Sequence, residues 1–156
     1  MNKVIYDTNF YNDLSIQYPE VVEAFISNAK QNATVIMPSI LEHELLSYSR
    51  YEEKEVTKAQ IDDYISLAKN NIIPLTREIA QEAARIRRYL RINHQKRLKA
   101  PDSIIAATAI VENATLFSNN DLDFKLIQNE LQLSYENPVL DQLDLQKFRE
   151  KLKEGK

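Results

Sequence analysis

The sequence predicts an α/β domain with a mostly parallel sheet and helices on both faces. Three observations carry that reading. Short apolar, β-branched runs at 3–6, 34–37, 72–75, 115–117 and 133–135 have the length and composition of buried strands. Longer stretches between them repeat their apolar residues at helical spacing. The two kinds alternate along the chain, as they do where helical crossovers join parallel strands. A chain of 156 residues fits one domain of this type.

Each element has a local reason. Residues 3–6 form a strand that ends at Asp7-Thr8-Asn9. After Pro19, the residues Val21, Val22, Phe25, Ile26 and Ala29 share one helical face. The run 34–37 is a second strand stopped by Pro38, and Ser39 is placed to cap a helix reaching about 49. An amphipathic helix follows over about 56–70, then a brief strand around Pro74. Residues 77–92 are helical, with Ile79, Ala83, Ile86 and Leu90 on one side. A helix over 103–113, a strand over 115–117, a polar turn and a helix to about 129 form the central module. A last strand is expected at 133–135. Pro138 then separates the domain, 1–138, from a charged helical extension over 139–156.

Composition excludes several functions. Hydrophobic residues at 44% and charged residues at 28% are those of a folded domain, not of a disordered chain. With no cysteine there is no disulfide and no thiolate metal site, which fits a reducing cytoplasm. The start, MNKVIYD, has no apolar leader, and no apolar run approaches the ~20 residues that span a bilayer. A cytoplasmic protein without membrane contact is expected. The single glycine, Gly155, lies in the tail, so neither a Walker A loop nor a GxGxxG turn can be built. Bound phosphate would have to be held by side chains or by a metal.

Ligands of parallel sheets collect beyond the carboxyl ends of strands. Asp7 follows the first strand, although aspartate is also a common turn residue there. Glu44 shares a helical arc with Ile40, Leu41, Leu45 and Tyr48, whereas Glu42 and His43 fall outside it. A carboxylate on a buried face needs a metal or a hydrogen-bonding partner. His43 reads as a surface residue, because successive helical residues diverge. Asp102, just after Pro101, either belongs to a site or complements a helix dipole. Asp121 and Asp123 sit in an acidic turn with Ser118 and Asn120, which are placed to orient a neighbouring group.

Acids from separate segments that converge on one sheet edge suit Mg²⁺ or Mn²⁺. Such ions activate water and stabilise the leaving oxygen of a phosphodiester. The two histidines, His43 and His94, support neither a zinc hydrolase nor a Ser–His–acid triad. Arg85, Arg87, Arg88, Arg91, His94, Lys96, Arg97 and Lys99 form a basic strip that no acid interrupts and that leads to Asp102. It is either a solvated helix face or an RNA-backbone surface, with Arg85, Arg88, Arg91, Lys96, Arg97 and Lys99 as the contact candidates.

Taken together, VIYDTN at 4–9, MPSILEHELL at 37–46, PDSIIAATAI at 101–110 and TLFSNNDLDF at 115–124 resemble the PIN-domain family. The likeness is to the VapC-type toxins of type II toxin–antitoxin pairs in particular. It implies a PIN-like three-layer α/β/α sandwich with a short, mostly parallel central sheet, and a Mg²⁺- or Mn²⁺-dependent endoribonuclease. It also implies a VapB-like antitoxin partner and a homodimer. By position, Asp7, Glu44 and Asp102 fall on the family's first three acids, and Asn9 on its small polar supporting position. The fourth acid is Asp121 or Asp123, because Asn120 stands where the family often has an acid. The alternatives are a PIN-like binding module with a degraded site and a phospho-acceptor domain. The second lacks the paired acids and strand-end lysine it would need.

Overall fold

Strand β1 (Lys3–Tyr6) is the pivot of the molecule, described for residues 2–154 in a computed structural model. It pairs in parallel with β2 (Thr34–Val35) on one side, in the register Lys3 to Thr34. On the other side it pairs with β5 (Thr115–Phe117), Ile5 lying opposite Leu116. Beyond that, β6 (Tyr135–Glu136) pairs with β5, giving the order β2-β1-β5-β6 with every pairing parallel. A separate parallel pair joins β3 (Met37–Pro38) to β4 (Ile72–Ile73). Consecutive side chains Val4, Ile5 and Tyr6 are all buried. Successive strand residues point to opposite faces, so helices cover this sheet on both sides. The architecture is the expected α/β/α sandwich.

The helices are α1 (Thr8–Ser15), α2 (Pro19–Lys30), α3 (Ser39–Leu46), α4 (Glu55–Leu67), α5 (Arg77–His94), α6 (Ala100–Glu112), α7 (Asp121–Leu131) and α8 (Gln142–Glu154). Among them α5 and α6 pack closely, helped by buried Ala83, Ala106, Ala107 and Ala109. Tyr6 stacks on Phe10 with ring centroids 4.2 Å apart, which seats α1 on the end of β1. Among the described residues no helix is long and apolar enough to cross a membrane.

Four local expectations are corrected. Helix α1 was not foreseen, because its one buried stripe, Phe10, Tyr11 and Asp13, is short and includes an acid. The run 34–37 is not one strand: the chain leaves β1 after Val35 and pairs with β4 from Met37. Ser39 does not cap α3, since Pro38 takes that position without a side-chain bond and Ser39 is already helical. Helix α6 begins at Ala100 rather than 103, with Asp102 inside its first turn as Pro101 led one to expect.

The scarcity of glycine shows in the backbone. Gln17, Asn32, Gln95, Asn113 and Gln132 have left-handed φ between 50° and 62°, and three of them are helix C-caps. This is where glycine usually stands, and asparagine tolerates it best among the rest.

The extension after Pro138 folds back onto the domain. Leu145 of α8 is buried, Phe148 meets Tyr18 edge-on at 5.3 Å, and the Tyr18 hydroxyl donates to Asp144 at 2.8 Å.

Candidate functional site

The sheet order reverses at β1, with β2 on one side and β5 on the other, and the site forms at the carboxyl ends of β1 and β5. Asp7 continues β1: its amide donates to Phe117 O at 3.0 Å. It also caps α1, Oδ1 accepting from Thr8 N at 2.8 Å. Oδ2 accepts from Ser118 Oγ at 3.0 Å and from Asn9 Nδ2 at 3.4 Å. Only 6% of Asp7 is exposed. Burial pushes its carboxyl above the ordinary aspartate range, and the bonds from Thr8 and Ser118 act against that push.

Glu44, on α3 between buried Leu41 and Leu45, sends Oε1 into the interior, where it meets no hydrogen-bond partner among the described residues. Burial, then the charge of Asp7, then that of Asp102 push Glu44 up to about 7. Asp102, half-buried at the start of α6, is pushed up to about 6 by burial and by Asp7 and Asp123, with Lys99 pulling the other way. Carboxylates from the end of β1, from α3 and from α6 therefore act on one another through their charge. The exposed His43 takes no part.

The two candidates for a fourth acid differ. Asp123 is the one whose charge reaches Asp102. It is held by Asn120 Nδ2 at 3.0 Å and by Lys96 Nζ at 2.9 Å. Asp121 accepts from the Tyr135 hydroxyl at 2.7 Å and lies 3.8 Å from Lys125. Asn9 and Ser118 both touch Asp7, and the amide of Asn120 donates to Ser118 Oγ at 3.2 Å.

Sequence reading missed Asp13, Asn119 and Tyr135. Asn119 donates through its main-chain amide to Asn9 Oδ1 at 3.1 Å and through its side chain to Asp13 Oδ2 at 3.1 Å. The Tyr135 hydroxyl also reaches Ser118 O at 3.0 Å. The helical offset of four between Asn9 and Asp13 was a signal for Asp13, but only once α1 was known to be a helix.

The basic strip divides. Arg85 is paired with Glu82 one turn earlier, and Arg87 Nε donates to Leu98 O at 3.0 Å. His94 pairs with Glu130 at 2.8 Å. Arg88, Arg91 and Arg97, with Arg87, Lys96 and Leu98, line a concavity of about 230 Å³. Lys99 is the N-cap of α6.

Among the described residues, no three acids or histidines already close into a metal-binding set. The donor chemistry nevertheless suits a hard cation: all-carboxylate oxygens, one of them buried without a partner, and two carboxyls driven upward partly by neighbouring carboxylates.

A family model described as "PIN domain" matches residues 4–130. The chain belongs to the PIN-domain family. Solved structures agree with the fold. VapBC2 from Rickettsia felis, bound to a DNA fragment from its promoter, is 28% identical with a TM-score of 0.70, over 86% of this chain and 98% of that one. A toxin–antitoxin complex from Klebsiella pneumoniae is 25% identical with a TM-score of 0.62, over 87% of this chain and 98% of that one. VapBC-1 from nontypeable Haemophilus influenzae, at 20% identity, TM-score 0.70, and 87% and 98% coverage, shows the fold alone. No curated protein matches the chain. In this PIN domain the matched segment holds β1 to α7 and all the acids of the site, and it stops before α8.

Proposed function

We propose that this PIN domain is a divalent-metal-dependent endoribonuclease and the toxin of a VapBC-type pair. One observation carries the reading: Glu44 has a buried, partnerless oxygen within the influence of the charges of Asp7 and Asp102. Buried, mutually repelling carboxyls are relieved by taking up a proton or by a cation that joins them, and a divalent ion is the partner this reading assigns. Asp7, Glu44 and Asp102 would hold Mg²⁺ or Mn²⁺, with Asp123 at the edge. When bound, such an ion supplies an activated water and stabilises charge on the leaving oxygen.

The chain's own residues do the rest. Thr8, Asn9 and Ser118 fix both oxygens of Asp7. Arg88, Arg91 and Arg97, with Lys99, present cations to a phosphate backbone along α5 and the segment that leads to Asp102, whereas Lys96 is taken up by Asp123. No residue here is an activated nucleophile, so the reading requires direct hydrolysis without a covalent intermediate.

A VapB-like antitoxin is part of the proposal, supported by the toxin–antitoxin complexes among the structural neighbours. A cavity of about 640 Å³ between α1, α3 and α4 opens at Glu44 and is lined by Ile16, Leu45, Tyr48 and Ile61. It offers such a partner an apolar seat beside the acids. A homodimer and a cytoplasmic location belong to the same reading.

The deciding experiment is cleavage of total cellular RNA with Mg²⁺ or Mn²⁺, with EDTA, and with Asp7→Asn. Discrete fragments that vanish under both treatments are expected. Equal cleavage by a folded Asp7→Asn variant would overturn the reading. A folded protein that binds no divalent ion would favour the partner-binding module.

A further inference from the structure

We propose that α8 braces the catalytic acid, with Arg149 and Asp13 as positioning residues that act on Asp7 through Asn119 and Asn9. The inference rests on the nuclease reading above and concerns a segment beyond the family match.

The path is continuous. Arg149 grips Asp13 Oδ1 with two nitrogens, Nε at 3.1 Å and Nη2. Asp13 Oδ2 accepts from Asn119 Nδ2 at 3.1 Å. The main-chain amide of Asn119 donates to Asn9 Oδ1 at 3.1 Å, which sets the orientation of the Asn9 side chain. The Asn9 amide nitrogen then donates to Asp7 Oδ2 and to Ser118 Oγ, at 3.4 and 3.0 Å. Each member uses a different atom for its two neighbours, so the position of one constrains the next.

Burial explains why Arg149 is needed. The Asp13 side chain is 1% exposed, whereas that of Arg149 is 44% exposed. Asp13 is thus a buried acid on α1 whose cation comes from outside the shared domain. Asn9 and Asp13 are four residues apart on one face of α1, and Asn119 spans them from the β5–α7 loop. Arg149 therefore ties three segments together where Asp7 emerges. Supporting contacts of this kind hold metal-ligating carboxylates in place, and their loss typically lowers metal affinity or activity about 10- to 100-fold.

A rival role exists for the same residue. A cavity of about 640 Å³, lined by Asn9, Asn119, Gln142, Arg149 and Lys153, lies beside the path, and the rival role for Arg149 is an RNA contact there.

The test compares the full chain with Arg149→Ala, Arg149→Lys, Asn119→Ala and Tyr18→Phe. Mn²⁺ affinity is read by titration, kcat and KM on a cleaved RNA, and the Asn9 side-chain amide signals by NMR. Arg149→Ala should weaken Mn²⁺ binding and lower kcat by about tenfold with KM little changed, and should shift the Asn9 signals. Arg149→Lys, which keeps a cation on Asp13, should recover part of the loss. If Arg149→Ala fails to fold, Asn119→Ala decides, because it cuts the path and leaves the ion pair whole. Tyr18→Phe removes a tether of α8 to the domain and should alter stability alone. A fall in thermal stability with unchanged Mn²⁺ affinity and kcat in both Arg149→Ala and Asn119→Ala would overturn the brace, as would a rise in KM alone. Wild-type protein that binds no Mn²⁺ would instead remove the nuclease reading on which the brace depends.

Discussion

Lys96 places its ammonium nitrogen 2.9 Å from Oδ1 of Asp123. Asn120 holds the other oxygen, so Asp123 reaches the site already partnered. Glu44 is the opposite case, with a buried oxygen that has none. Replacing the three core acids should therefore be far more damaging than replacing Asp123. Asp7→Asn, Glu44→Gln and Asp102→Asn are expected to reduce RNA cleavage to background. Asp123→Asn should cost about 10- to 100-fold, the effect of a supporting group. Asp121→Asn, whose carboxylate serves Tyr135, should stay within a few-fold of wild type. Rates from one RNA substrate under single-turnover conditions rank them, and an Asp121 variant as inactive as the Asp7 variant would refute the ranking.

Proton linkage gives a second expectation. Glu44 sits at about 7 in the folded protein against 4.5 in the free residue, and Asp102 at about 6 against 3.8. Both raised carboxyls hold protons more tightly when folded. Their contribution to stability is complete below the unfolded values and is lost as pH rises through the folded ones. Without metal, the melting temperature should fall between about pH 4 and about pH 7. Mg²⁺ or Mn²⁺ should restore it most at the upper end, and its binding near pH 6 should release protons, measurable as a buffer-dependent heat. Glu44→Gln should flatten the metal-free slope. An unchanged slope would show that Glu44 does not titrate as described.

Much of this was legible in the sequence, for physical reasons. Val4-Ile5-Tyr6 has no hydrophilic face, so a doubly covered strand was visible at once. Glu44 stood out because it lay on an apolar arc, and its partnerless oxygen is the structural counterpart of that misfit. Helix α1 was hidden because its periodicity is carried by too few residues and its third buried member is an acid. Asp13 could not be recognised, since it is explained by Arg149, which lies 136 residues away. The strip at 85–99 looked uninterrupted in sequence, yet Glu82, Glu130 and Asp123 pair with three of its members, Arg85, His94 and Lys96. Linear charge counts miss partners that a helical turn or a neighbouring helix supplies.

The Tyr135 hydroxyl ties the end of the sheet to the start of α7 through Ser118 O and Asp121. Tyr135→Phe keeps the buried ring and removes both contacts. A loss of about 1–3 kcal/mol in urea unfolding is expected, as for a buried hydrogen-bonded hydroxyl whose partners are left unsatisfied. Cleavage per folded molecule should change little. A large loss of activity without loss of stability would place Tyr135 in the chemistry instead.

The last expectation concerns the arginines of α5 and of the segment that follows it. Arg85 is already paired with Glu82, whereas Arg88, Arg91 and Arg97 face a shared concavity. If that surface carries the RNA backbone, the residues should not be equivalent although all belong to one strip. Alanine at Arg88, Arg91 or Arg97 should raise KM and reduce the dependence of binding on salt by about one counterion each. Alanine at Arg85 should do neither. Binding of an uncleavable RNA measured across a range of salt concentrations separates the two cases. Equal slopes for all four variants would mean that the backbone runs elsewhere, and the cations of α5 would then be no more than a solvated face.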